Sequence, residues 1–140
     1  MRQGLNMTKK VNWQKEVSEL IRELQQTPFE WGTNDCCLFA SDVAKAQTGI
    51  DMADKYRGTY NTNFSALRRV VENHGSYEAI FDEHFERVPN HLGQRGDLVM
   101  TTIDKTMAVL WANGKLISTG DNGVGVMSDE HKPFITWRVS

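Results

Sequence analysis

Apolar residues first recur at helical spacing. Trp13, Val17, Leu20, Ile21 and Leu24 share one face of residues 11–26, and lysines and glutamates fill the other, which predicts an amphipathic helix. Pro28 ends that helix or follows its end. Thr33, Asn34 and Asp35 are all good N-caps. A second helix is therefore predicted over residues 36–48, with Phe39, Val43 and Ala46 as its buried stripe and Gly49 as its stop. A third is predicted over residues 64–73, burying Phe64, Leu67, Val70 and Val71 and stopping at Gly75. The stretch "YEAIFDEHF" reads as one more short helical piece.

After Pro89 the pattern changes. "GDLVMTTI" is strand-like, and "TMAVLWANGKLIST" reads as a hairpin turning on Asn113-Gly114, the strongest short-range hairpin signal. "GVGVMS" and "ITWRV" are further short strands. Helices thus occupy the first half, and an antiparallel sheet is expected from about residue 97 onward. Segregated order of this kind means α+β.

Composition narrows the function classes. A chain of 140 residues forms a single domain, expected over residues 11–140, behind a flexible polar lead-in over residues 1–10. That lead-in has no apolar core and is not read as a signal peptide. The longest near-apolar run, "MAVLWA", falls far short of the ~20 residues of a membrane span. A net charge of -2 offers no basic face for nucleic acid. Cys36 and Cys37 are adjacent, about 100° apart on a helix, which suits neither a disulfide framework nor a metal site. No metal or cofactor is expected, and the folding compartment is read as reducing.

Three motifs carry a resemblance. "FEWGTNDC" resembles the aromatic-Trp-Gly turn leading to Asp-Cys in the NlpC family of bacterial and phage cell-wall cysteine peptidases. "GDLV" at residues 96–99 resembles that family's first strand, and "AVLWANGKLIS" its second and third. The chain is still more similar to a divergent group of small phage proteins related to NlpC. That likeness rests on "DCCLFASDVAKAQTGID", on Tyr56 followed by "RGTY", and on "TWRV" at residues 136–139. The resemblance implies a papain-like fold, with N-terminal helices packed on a C-terminal antiparallel sheet.

It also implies where chemistry would sit. Cys36 is the candidate nucleophile: at a helix start its sulfur feels the positive end of the dipole and free N–H groups, which depress a thiol pKa. The same amides would serve as an oxyanion hole. In the family pattern a histidine opens the second strand and a polar residue on the third orients it. Counting back from Asn113-Gly114 places these positions on Thr106, with Met107 beside it, and on Ser118. None of His74, His84, His91 and His131 falls at a strand start facing Cys36. The leading expectation is a phage virion or tail-associated structural or assembly protein whose catalytic histidine has been lost. It would be made in the host cytoplasm and would contact other virion proteins. The alternative is an active cysteine peptidase or amidase that cleaves peptidoglycan stem peptides, with Cys36 as nucleophile and an unidentified base.

Other residues have two readings each. Asp35 caps the helix, stabilising it by about 1 kcal/mol, or takes part in a site. Trp31 either packs before the Gly32 turn or walls a substrate groove. Arg57 either pairs with a carboxylate such as Asp51 or binds an acidic ligand. Arg95-Gly96-Asp97 reads as a turn into a strand, and "GDNGVG" over residues 120–125 lacks the context of a phosphate loop.

Overall fold

A computed structural model describes residues 9–139. Its architecture is α+β: among the described residues, four α-helices accompany one six-stranded antiparallel sheet. The helices are α1 (Trp13–Leu24), α2 (Cys36–Thr48), α3 (Asn63–His74) and α4 (Tyr77–Asp82). The strands are β1 (Glu86–Val88), β2 (Leu98–Thr101), β3 (Met107–Leu110), β4 (Leu116–Gly120), β5 (Gly123–Val126) and β6 (Pro133–Arg138), in the order β1-β6-β2-β3-β4-β5. None of these helices is long and apolar enough to cross a membrane.

The second helix is the centre of the packing. It lies against β3 and β4 on one side and α1 on another, so Leu38, Phe39, Ala40, Val43 and Ala44 are all buried. Each large side chain removed from water in this way contributes roughly 1.5–3 kcal/mol. Small residues on the same helix let α1 and the sheet approach. Val17 of α1 is fully buried, while Leu20, Ile21 and Leu24 pack at its margin. Beyond the sheet's centre, Trp137 of β6 packs against Phe81 of α4 with ring centroids 5.1 Å apart, and its indole N–H donates to Asp82 Oδ1 at 2.9 Å. That contact joins the short helix to the far strands.

Several expectations need correction. The sheet begins before residue 97: β1 pairs Glu86 with Arg138 and Val88 with Thr136 at the sheet edge. Three residues are too few to show a period of two, so the pattern gave no warning. On α3 the buried residues are Ala66 and Val70, whereas Phe64, Leu67 and Val71 are 76%, 47% and 53% exposed. Both rows obey helical spacing, and the position of α4 selects the smaller one. The hairpin loop includes Ala112 with Asn113 and Gly114, and it closes through the Trp111 N–H donating to Lys115 O at 2.9 Å.

Of the lead-in expected over residues 1–10, residues 1–8 lie outside the described residues. Lys9 and Lys10 are docked. The Lys10 N–H donates to Gln47 O at 2.7 Å, and the Lys9 ammonium sits 4.0 Å over the Trp13 ring.

The turn ahead of α2 depends on Gly32. Its φ is +84°, and a Cβ there would stand 1.9 Å from the Tyr60 carbonyl oxygen. The Gly58 N–H also donates to Gly32 O at 2.8 Å, so the two loops touch backbone to backbone. Gly32→Ala is expected to lower the unfolding free energy by about 2–4 kcal/mol, combining left-handed strain with a backbone clash. Denaturant titration checks this, the midpoint falling with an unchanged slope.

Candidate functional site

The site is assembled on Asp35. This N-cap is buried, and its Oδ1 accepts the Leu38 N–H at 3.0 Å. Its Oδ2 accepts the Gly32 N–H at 3.0 Å and the Tyr60 hydroxyl at 2.5 Å. One carboxylate therefore holds the start of α2, the Trp31-Gly32 turn and the loop that carries Tyr60. Asn34 secures the turn from the other side, its amide donating to Thr27 O at 2.9 Å and Pro28 O at 3.1 Å.

Cys36 and Cys37 open α2 and are half-buried. The Cys37 thiol donates to the Cys36 sulfur, and this bond is the main reason the Cys36 thiol is held below the ordinary thiol range. Main-chain N–H groups of Met107 and Cys37 add to it, against the opposing effects of burial and the Asp35 charge. Cys37 is pushed the other way, because it is the donor of the pair, its thiol is withdrawn from water and it faces two negative neighbours.

A cleft of about 290 Å³ opens over the two cysteines. Trp31, Tyr60, Tyr77 and Leu67 line it with apolar surface, and Glu78, Asp104 and Lys105 supply charge. Trp31 is held edge-on by Phe29, with ring centroids 4.8 Å apart. Burial pushes the phenols of Tyr60 and Tyr77 up. For Tyr60 the hydrogen bond to Asp35 adds to this, and for both the negative charges around the cysteines do.

The β2–β3 turn reaches this cleft in a strained form. Asp104 and Lys105 have φ of +57° and +51°, and the Thr106 N–H donates to Ile103 O at 3.2 Å. Two consecutive positive φ values are usually left to Asn-Gly, as at Asn113-Gly114. Lys105 Nζ donates to Glu78 Oε2 at 3.2 Å, tying the turn to α4.

Of the residues singled out in the sequence, Trp31, Asp35 and Cys36 meet in the cleft. Thr106 and Ser118 do not join them. They line a separate groove of about 320 Å³ together with His131. Ser118 Oγ donates to Met107 O at 2.7 Å, and Thr106 Oγ1 to Ile103 O at 3.0 Å. Alternation along the strand is the reason. Met107 is the strand-start side chain in the core beneath α2, and its main chain touches Cys36.

Arg57 lies outside the cleft lining. Its guanidinium clamps Asp51 at 2.9 and 3.0 Å and reaches Asp42 at 2.6 Å. The Arg57 hydrogen bond holds the Asp51 carboxyl low, while burial outweighs the same cation at Asp42 and raises it.

No histidine lines the cleft. His74 bonds the Tyr56 hydroxyl and Glu83, the latter at 2.6 Å; His84 bonds Ile80 O, and His131 faces Ser128. No group of three potential metal ligands occurs among the described residues. Sequence reasoning missed Tyr77, Asp104 and Lys105 as cleft residues. Their distance along the chain from Cys36 left no local signal, although a Lys at a two-residue turn is an oddity that a register count could have flagged.

Two outcomes follow from this geometry. Iodoacetamide labelling of Cys36, separated from Cys37 by peptide mass spectrometry, is expected to rise with pH through a midpoint below the ~8.5 of a free thiol. Its thiolate forms early because the folded state favours that form, so Cys36 labels ahead of Cys37. Lys105→Gly is expected to stabilise the chain by about 1 kcal/mol, since it relieves positive-φ strain at the cost of one exposed ion pair. Thermal unfolding reads this as a rise in Tm.

A family model described as Domain of unknown function (DUF6950) matches residues 8–139. No curated protein matches the chain. Among solved structures the chain is similar to a mutated form of the Resuscitation Promoting Factor Interacting protein RipA, at 16% identity and a TM-score of 0.41, over 92% of this chain and 64% of that one.

Proposed function

The chain belongs to the family described as a domain of unknown function (DUF6950), and we propose that it is a binding and assembly module. In this reading a papain-like fold of the NlpC type keeps the cleft over its cysteine and lacks the hydrolytic base. The phage virion or tail is the proposed setting, carried by the likeness of the sequence motifs, with other virion proteins as partners.

The observation that carries this reading is what surrounds the Cys36 sulfur. The Cys37 thiol and nearby main-chain N–H groups act on it as donors, and no histidine lines the cleft. A cysteine hydrolase needs an acceptor that takes the thiol proton and later returns it to the leaving group. Here the strand start beside Cys36 is occupied by Met107, and the nearest carboxylate, Asp35, already accepts three hydrogen bonds. The exposed row of Phe64, Leu67 and Val71 runs up to the cleft, where Leu67 is part of the wall. Contiguous exposed apolar surface of this kind suits contact with another chain.

A cysteine peptidase or amidase acting on peptidoglycan stem peptides is the second reading. It is favoured by one observation, the lowered thiol of Cys36 facing an open cleft. Incubation of the protein with soluble muropeptides, followed by mass spectrometry, separates the two. No cleavage is expected from the native chain. Cleavage that disappears in Cys36→Ser would establish the hydrolase and reject the binding module.

A further inference from the structure

Within the cleft just described as a binding site, the balance of charge and aromatic surface selects one kind of ligand. Three acidic residues line it, Asp35, Glu78 and Asp104, against the single basic residue Lys105. Asp35 is occupied by its three donors, and Glu78 is paired with Lys105 at 3.2 Å. Asp104 has neither an ion pair nor a hydrogen bond from another side chain, and its backbone φ of +57° fixes it in the strained turn at the cleft. The cleft's one cation is thus already neutralised, while an anion is left over. Trp31, Tyr60 and Tyr77 supply three aromatic rings, whose electron-rich faces attract cations. A volume of about 290 Å³ is at the low end for ligand sites, enough for a side chain or chain terminus.

We infer that the cleft takes an aliphatic ammonium group carried on a peptide, with Asp104 as its counter-ion and the rings of Trp31, Tyr60 and Tyr77 as its walls. This rests on the reading of the cleft as a non-hydrolytic binding site. A carboxylate-bearing ligand would find no unpaired side-chain cation in the cleft, since Lys105 already has a partner. The strain at Asp104-Lys105 fits the same assignment: Asn-Gly would form the turn without it but would place no charge at the cleft.

The test uses the full chain and NMR titration, with assigned backbone and Trp31 indole signals. The probes are Nα-acetyl-lysine N-methylamide, glycinamide, the uncharged Nα-acetyl-norleucine N-methylamide and the anionic Nα-acetyl-glutamate N-methylamide. An ammonium probe is expected to shift Trp31 and residues 104–105 and to bind at least about fivefold tighter than the norleucine analogue. The lysine and glycinamide arms distinguish a side-chain ammonium from a chain terminus. Asp104→Asn should weaken the ammonium probe by about threefold and leave norleucine unchanged. Asn tolerates positive φ at least as well as Asp, so the turn survives the change. Equal binding of norleucine, preference for glutamate, or no shift at the cleft with any probe would overturn the assignment. In those cases uncut muropeptides would still support the binding module, whereas cut muropeptides would reject that module itself.

Discussion

Everything around the cysteines hangs on the buried carboxylate of Asp35. A charge removed from water is costly unless it is hydrogen-bonded, and here three donors from three segments converge on it. Hydrogen bonds to a charged group contribute roughly 1.5–3 kcal/mol each, and losing any one of them would leave the charge under-satisfied. The Trp31-Gly32 turn, the first turn of α2 and the Tyr60 loop are therefore fixed relative to one another as a unit. Gly32 makes the arrangement possible, because only a residue without a side chain allows the Tyr60 carbonyl so close.

The same carboxylate sets the chemistry of the cleft. It places a negative charge next to Cys36, opposing the helix end and the N–H groups that favour a thiolate. The donors outweigh it, yet they only stabilise the anion; none can receive a proton. A thiol whose anion is favoured, in a cleft lined by no histidine, suits the binding role proposed above. Carboxylates on α4 and on the β2–β3 turn extend that character, and the aromatic rings around them give it shape.

The legible parts of the fold were those governed by local rules. The Asp35 cap, the Gly49 stop and the span of α2 are local, since capping and left-handed termination act within a few residues. The hairpin over Asn113-Gly114 is local for the same reason. The inward row of α3 was not legible: Phe64, Leu67 and Val71 are as periodic as Ala66 and Val70, and only the placement of α4 decides between them. Nor was β1, whose three residues become a strand because β6 offers them an edge.

For the site the division is sharper. The sequence by itself determined that a cysteine pair would start a capped helix behind an aromatic turn, because every element of that arrangement lies within about ten residues. It also determined that a strand would begin near Thr106 and Met107. Only the tertiary structure decided which of those two faces the helix, since a shift of one residue along a strand exchanges its faces. It was likewise tertiary packing that brought Tyr77 and Glu78 from α4, and Asp104 and Lys105 from a strained turn, to the same cleft as Cys36. Those residues lie some 40 to 70 positions further along the chain, and contacts over such separations depend on how whole elements pack, which no local pattern encodes.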